Sequence, residues 1–512
     1  MLTRIKLAAL RVLIRPFDLM LWLAGPRYWL YMWSFSVVPP KAIAMLGNMR
    51  AIRAVERASR RVPAYKALLQ SHQTTSAEIA ALNVPETDKE NYIRVFPPEQ
   101  RCVNGILTMV NTAIDESSGS TGTPYNWVRS LKERHVNHLI ISHFARYCYG
   151  KEPWITINAF SMGAWATGVN MGIALQYNSI VKNTGPDIYK VFNTLELFGP
   201  RHRYLVCGYP PFLKRIIDFA QEQGFPINDY RLMALLGGEG NSEGLRDYVS
   251  QCFDPIFSGY GATDVEIGIA GETPISLAVR REARRNPGFR EALFGSDSRL
   301  PMVFQYNPLM HHIETNEDGE LIFTTTRLNL LQPRIRYNIH DVGGVATFAE
   351  MTERAHSTGV ELQNLVSSID QKSVPLPFLW VYGRKDFTIS LMAANIYPED
   401  LEQCLYDEPE LAAMTNSFCL GLIETADGSE RPCFSFEVRG EATKELQLRF
   451  EERVVERLRS LNADFREAYL EYAEAISPVV RLYPIGEGPF SGDSSKIKQV
   501  RLLEAERASQ RG

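Results

Sequence analysis

Along the middle of this chain, short apolar runs alternate with stretches in which apolar residues recur every three or four positions. Tyr204-Leu205-Val206-Cys207-Gly208 and Leu232-Met233-Ala234-Leu235-Leu236 are of the first kind and predict strands. Residues 211–224, and those from about 242 onwards, are of the second kind and predict helices. Upstream, the same rule predicts a strand at 126–128, an amphipathic helix over 131–149 and a strand at 154–160. Glycines punctuate the strand ends, at Gly237-Gly238-Glu239-Gly240 and at Ser258-Gly259-Tyr260-Gly261-Ala262-Thr263-Asp264. Strands alternating with helices, with glycine where the strands stop, predict an α/β fold whose ligands sit at the carboxyl edge of the sheet.

Residues 1–38 follow another pattern. Arg4, Lys6, Arg11 and Arg15 interrupt the first apolar stretch, and Gly25-Pro26-Arg27 divides the runs 17–24 and 28–33. Neither run approaches the roughly 20 apolar residues of a spanning helix. Basic residues beside Trp and Tyr suit a segment lying at a membrane interface. Helices packed on the protein itself, or on the second subunit of a homodimer, suit the same pattern, and the choice stays open. Residues 41–75 predict a basic helix. Residues 274–294 predict another, with Arg280, Arg281, Arg284 and Arg285 expected on a solvated face, the alternatives being contact with coenzyme A phosphates, an acidic carrier protein or a lipid headgroup. Near the end, a strand at 433–438, a helix over 444–461 and a strand at 479–484 predict a small α/β domain.

Composition narrows the class. A chain of 512 residues is long for one core and predicts two or more domains. The net charge of −4 creates no basic field to recruit nucleic acid. The seven cysteines are scattered without a C-x-x-C, which speaks against zinc and disulfides and for a reducing, cytoplasmic setting. His311 and His312 are adjacent, and neighbours on a strand point to opposite faces, so the pair is a poor chelate.

The densest chemistry lies in Ser117-Ser118-Gly119-Ser120-Thr121-Gly122-Thr123-Pro124. Glycine lets successive backbone N–H groups converge, and the hydroxyls add donors, so such a loop can wrap a polyphosphate. It lacks the spacing of a Walker loop. It resembles the phosphate loop of adenylate-forming enzymes, [ST]-S-G-[ST]-T-G-x-P, with Tyr125 where many members carry Lys; the phenylacetate–CoA ligase branch also commonly lacks that Lys. Further matches follow in the family's order. Val62-Pro63-Ala64-Tyr65 and Val84-Pro85-Glu86-Thr87-Asp88-Lys89 resemble two segments near the start of that branch. Gly237-Gly238-Glu239, Tyr260-Gly261-Ala262-Thr263-Asp264, Gly319-Glu320-Leu321 and Pro333-Arg334-Ile335-Arg336-Tyr337-Asn338-Ile339-His340-Asp341 come next. Gly383-Arg384-Lys385-Asp386, Ala394-Asn395-Ile396-Tyr397-Pro398 and Ser494-Ser495-Lys496-Ile497-Lys498 complete the series.

The resemblance implies a large adenylation domain over 39–382, a hinge at 383–386 and a small domain over 387–512 that acts as a lid. It implies that Ser117, Ser118, Gly119, Ser120, Thr121, Gly122 and Thr123 hold ATP phosphates. Gly238 and Glu239 would lie beside adenine, Tyr260 would stack on it, and Gly261 and Thr263 would meet the α-phosphate. Asp341 would accept the ribose hydroxyls, and Asp264, standing where Glu is usual, would hold Mg²⁺ with Glu266 as its substitute. Phe160, Trp165, Gly237 and Ala262 are implied walls of the acid pocket. Lys496 is the implied catalytic cation, moved by the hinge at Arg384 and Asp386, with Lys498 as backup. The implied activity converts a small-molecule carboxylic acid, aryl or acyl, to an acyl-adenylate, then passes it to coenzyme A with release of AMP and pyrophosphate. Ala393-Ala394 replaces the family's Gly near the thiol channel and Ser495 the Gly before Lys496. Those departures keep two alternatives in view, transfer to a carrier protein or an amine, and a nucleotide-binding scaffold without turnover. An insertion is expected near 350–377.

Overall fold

The computed structural model describes residues 15–16, 18–19, 23, 25–117, 125–164, 166–297, 299–366, 374–384, 389–391, 394–424, 430–491 and 502–506. The chain enters through helix α1 (Tyr28–Val37) and helix α2 (Pro40–Arg61), with prolines at 39 and 40 separating them. A hairpin of β1 (Thr112–Glu116) and β2 (Asn126–Ser130) precedes helix α3 (Leu131–Tyr149).

Eleven strands then form one sheet. In chain order they are β3 (Ile155–Asn158), β4 (Ile180–Asn183), β5 (Arg203–Gly208), β6 (Arg231–Gly237), β7 (Phe253–Ala262) and β8 (Glu266–Gly271). They continue as β9 (Met302–Tyr306), β10 (His311–Thr315), β11 (Glu320–Thr325), β12 (Tyr337–Ala346) and β13 (Phe378–Arg384). The spatial order is β10-β11-β12-β13-β9-β8-β7-β6-β5-β3-β4. From β4 to β7 the pairs are parallel, because helical crossovers carry the chain back to the same end each time. After β7 the turn is too short for a crossover, and β8 returns antiparallel, as do all the pairs beyond it. The α/β alternation read from the sequence thus covers half of a mixed sheet.

Helix α4 (Glu243–Val249) follows β6, and helix α5 (Pro274–Arg285) follows β8. The helix expected over 274–294 is broken at Asn286, which caps a second helix, Pro287–Phe294. Arg280 is a correction to the solvated face expected for this segment. It is buried, and with Arg246, Glu243 and Glu272 it forms a four-charge cluster between α4, α5 and the end of β8. Arg246 Nη2 lies 2.6 and 2.8 Å from the two Glu272 oxygens, and Arg280 Nη1 lies 2.8 Å from Glu243. Arg281, Arg284 and Arg285 are exposed. The segment 350–377 holds helix Phe348–His356 and a turn at Leu362–Val366, and Met351, Ala355 and Leu362 are buried in a core shared with α5.

A second core closes the chain. Helix α6 (Pro398–Tyr406) and helices Lys444–Leu461 and Ala463–Ile476 pack with strands Thr415–Glu424, Glu430–Val438, Val479–Pro484 and Leu502–Glu506. Phe434, Phe436 and Phe450 are fully buried there.

Helix α1 has two faces. Tyr28, Tyr31 and Met32 pack inward, with Tyr31 against His143 of α3 at 4.9 Å between ring centres. Trp29 and Trp33, at 66% and 55% exposure, point outward with Val37 at helical spacing. The inner face answers to the packing alternative left open above. Residues 1–14, with Arg4, Lys6 and Arg11, lie outside the described residues. Among the described residues, no helix is long and apolar enough to cross a membrane.

The buried cluster gives a stability prediction. Glu272→Ala leaves Arg246 and Arg280 short of counter-charge in the core, and should cost about 3–5 kcal/mol. Arg284→Ala removes only an exposed pair with Asp247 and should cost less than about 1 kcal/mol. The unfolding midpoint of each variant in urea checks both.

Candidate active site

Strands β6 and β7 stop side by side, with Gly237 paired to Gly259. Past Gly237 the chain turns over the ring of Tyr209, and Gly238 takes φ +87. A Cβ there would sit 2.3 Å from that ring, so the position admits only glycine. Burial, with the Glu239 carboxylate nearby, pushes the Tyr209 phenol up to about 12 and keeps it neutral.

At the end of β7 the segment Tyr260–Asp264 turns into β8. Its backbone is clamped from below by two buried arginines. Arg129 donates to the carbonyls of Thr263 and Val265, and Arg334 donates to that of Asp264 at 2.7 Å. The Tyr260 ring lies against Phe304 and Phe323, and its hydroxyl donates to Asp341 Oδ2 at 2.5 Å. Asp341 on β12 stands opposite Arg384 on β13 in the antiparallel register. Four motifs that are far apart in sequence therefore meet at one place.

They line a single cleft of about 1630 Å³. Gly237, Gly238 and Glu239 form one side of it, Tyr260, Gly261, Ala262, Thr263 and Asp264 the floor, and Asp341 the far lip. Phe160 and Ser117 also reach it. Ser117 closes the base of the β1–β2 hairpin, its N–H donating to the Tyr125 carbonyl and its Oγ accepting from Tyr125 N at 3.1 Å. Ser118, Gly119, Ser120, Thr121, Gly122 and Thr123 lie outside the described residues, as do Trp165, Asp386, Ala393, Ser495, Lys496 and Lys498.

Three features were not singled out from sequence as site residues. Lys89, on the turn Lys89–Ile93, borders the cleft with Nζ 2.9 Å from Asp264 Oδ2. Asn241 is 2% exposed on the cleft wall, and neither amide atom has a partner among the described residues. Tyr125, where a Lys would bring a cation, is folded back instead; its hydroxyl accepts from Arg101 and its ring lies against Trp127. The T-x-K pattern around Lys89 and the Tyr in place of Lys at 125 carried a signal in sequence, and Asn241 carried none.

Asp264 is one carboxylate at the cleft wall, and Mg²⁺ bound with nucleotide phosphates commonly uses one or two protein carboxylates. That donor set fits the ion. Glu266, the expected substitute, does not fit. It is buried beneath the turn, ion-paired with Arg327 and 3.1 Å from His311 Nε2. Burial opposes its ionisation, but Arg327, His311 and Arg129 outweigh that and hold the carboxyl down at about 2.

The second core docks beside the cleft. Glu402 of α6 accepts from Ser242 N at 2.7 Å, and Gln403 accepts from Gly244 N at 3.2 Å. Gly244 leaves room for Tyr406, since a Cβ would lie 2.4 Å from it.

The depressed Glu266 carboxyl sets a pH prediction. A folded-state value of about 2 against an ordinary 4.5 stabilises the fold fully above about pH 4.5, and that stabilisation fades as pH falls toward 2. Glu266→Gln should be less stable than the parent at pH 6, and the gap should narrow by pH 3, as read by chemical unfolding at the two values.

No protein-family model matches this sequence, and no curated protein matches it. Solved structures do. A crystal structure of 2-hydroxyisobutyryl-CoA ligase in the postadenylation state with 2-HIB-AMP is 11% identical, with 90% of this chain and 89% of that chain covered and a TM-score of 0.62. The same enzyme in the thioesterification state, with 2-HIB-AMP and CoA, is 12% identical, with 91% and 90% covered and a TM-score of 0.51. Likeness at such identity is a likeness of fold, and the fold of this chain is that of the adenylate-forming acyl-CoA ligases.

Proposed function

We propose that this chain uses ATP to convert a carboxylic acid into its acyl-adenylate and then passes the acyl group to the thiol of coenzyme A, releasing AMP. The observation that carries the reading is the meeting of Tyr260, Asp341, Gly238 and Asp264 on one cleft, with Tyr260 bonded to Asp341. An aromatic face, a two-oxygen acceptor for a ribose diol and a glycine-lined edge suit a nucleoside phosphate. The fold shared with 2-hydroxyisobutyryl-CoA ligase supports the same reading. The order of motifs, together with Tyr125 after Pro124, supports kinship with the phenylacetate–CoA ligase branch.

A carboxylate is a poor acyl donor, so the acid first attacks the α-phosphorus of ATP and expels pyrophosphate. Negative charge grows on the α-phosphoryl oxygens and the leaving group. Lys89 supplies the cation that position 125 does not, and the Ser117–Thr123 loop supplies N–H and hydroxyl donors. Asp264 would hold Mg²⁺, which neutralises phosphate charge when bound with ATP. Lys496 completes the positive set. After adenylation, the small domain turns about Asp386, withdrawing Lys496 and opening a path for the thiol. Release of the Glu402 and Gln403 contacts with 242–244 would accompany that turn.

The outer face of α1 adds a location. Residues 1–77 carry twelve Lys and Arg against two acids, Asp18 and Glu56, in a chain of net charge −4. Exposed Trp29 and Trp33 beside exposed Arg27 and Lys41 suit the interface of an anionic membrane.

Pyrophosphate release from MgATP should require a carboxylic acid, and AMP formation should accelerate on adding coenzyme A. Release with no acid of any class, while ATP binds, would refute the reading. Lys89→Ala and Lys496→Ala should each lower adenylation about 10²-fold or more with ATP binding largely kept; full activity in either removes that residue from the mechanism. Vesicles containing phosphatidylserine should co-sediment the protein in low salt, and Trp29→Ser with Trp33→Ser should abolish this. A concentration-dependent dimer lost in the same double variant would assign the face to a second copy instead.

A further inference from the structure

The cleft does not end at the nucleotide motifs. Gly237 on β6, Gly259 on β7 and Gly271 on β8 are paired in register, so three adjacent strands present no side chain along one row. Gln305 of β9 continues the row. A Cβ on Gly259 would find only the Leu236 carbonyl, 3.9 Å away, so that position opens into empty space. Phe160 lies over the Gly237 end, and Phe144 of α3 lies over the Gly271 end. The same cavity runs on to Tyr147, Leu376 and the inner face of α1, where Tyr31, Met32 and Phe35 close it.

We infer that the acid is a long-chain aliphatic one, and that its tail crosses the open Gly259 position and passes beside Phe144, whose ring packs on Gly271, to the underside of α1. The inference rests on the adenylation reading and names its substrate class. The polarity of the channel sets the direction. At the cleft end stands the Lys89 ammonium. At the α1 end the polar groups are already satisfied by one another. The Tyr31 hydroxyl accepts from Asn307, and Gln305 donates to the carbonyls of Val374 and Leu376 and accepts from Thr273. A carboxylate at that end would be desolvated without a partner, whereas a hydrocarbon tail loses nothing there. The helix that stops the channel also carries Trp29 and Trp33 on its outer side. One helix therefore separates the tail site from the outer aromatic face.

The test uses the full-length protein and two readouts. Binding of palmitate without ATP is followed by displacement of a fluorescent fatty acid, and pyrophosphate release is followed with acids of two to sixteen carbons and with phenylacetate. Palmitate should bind, and its kcat/KM should exceed that of butyrate and phenylacetate by about tenfold or more. Met32→Trp should shorten the preferred acid, lowering palmitate about tenfold or more while leaving the eight-carbon acid unchanged. Gly259→Leu should abolish palmitate binding with ATP binding kept. If phenylacetate or butyrate is activated but palmitate neither binds nor reacts, the channel inference falls and adenylation stands. If palmitate binds and Met32→Trp weakens it, yet no acid releases pyrophosphate, adenylation falls and the channel stands. An unchanged chain-length profile in folded Met32→Trp overturns the route to α1.

Discussion

Four buried charges hold the paired glycines beside this site. Arg246, Glu272, Glu243 and Arg280 sum to zero, and each is all but sealed from water. Such a cluster gains little net stability, because desolvation opposes its Coulomb energy; what it supplies is geometry. Glu272 accepts from Ser258 N at 2.7 Å while both its oxygens face Arg246, so the ends of β7 and β8 are tied to α4. Gly259 and Gly271 are the residues next to those ties. The cluster therefore keeps a row without side chains from collapsing, which three flexible glycine positions could not do alone.

A second constraint concerns positive charge. Beside the loop after Ser117, position 125 carries a tyrosine whose hydroxyl and ring are occupied by Arg101 and Trp127. Lys89, from a turn well upstream, stands at the cleft with Asp264. Arg129 and Arg334 lie close by, but their guanidinium groups are spent on backbone carbonyls. Lys89 thus borders the cleft, while Arg129 and Arg334 hold the turn beneath it. Glu266 makes the same division among the carboxylates, being locked by Arg327 and His311 while Asp264 faces the cleft.

Helix α1 joins these local arrangements to the outside. Its inner residues complete a cavity whose other end is lined by Gly238, Tyr260 and Asp341, and its outer residues are large, aromatic and exposed. Ten residues do both because successive side chains on a helix point in different directions.

Sequence by itself determined the α/β character, the run of motifs and their order, since these depend on periodicity and on local backbone needs such as the glycine at 238. It also held the partners Tyr260 and Asp341, though not the bond between them. Only the tertiary structure decided which charges are structural. Arg280 reads like Arg284 on paper, and the difference is depth: one turn apart on the same face of α5, the first meets buried Glu243 and the second meets exposed Asp247. The antiparallel half of the sheet, Lys89 at the cleft, the alignment of Gly237, Gly259 and Gly271, and the two faces of α1 belong to the same class. Each depends on register between strands or on packing between segments distant in the chain, and no local pattern of residues encodes that.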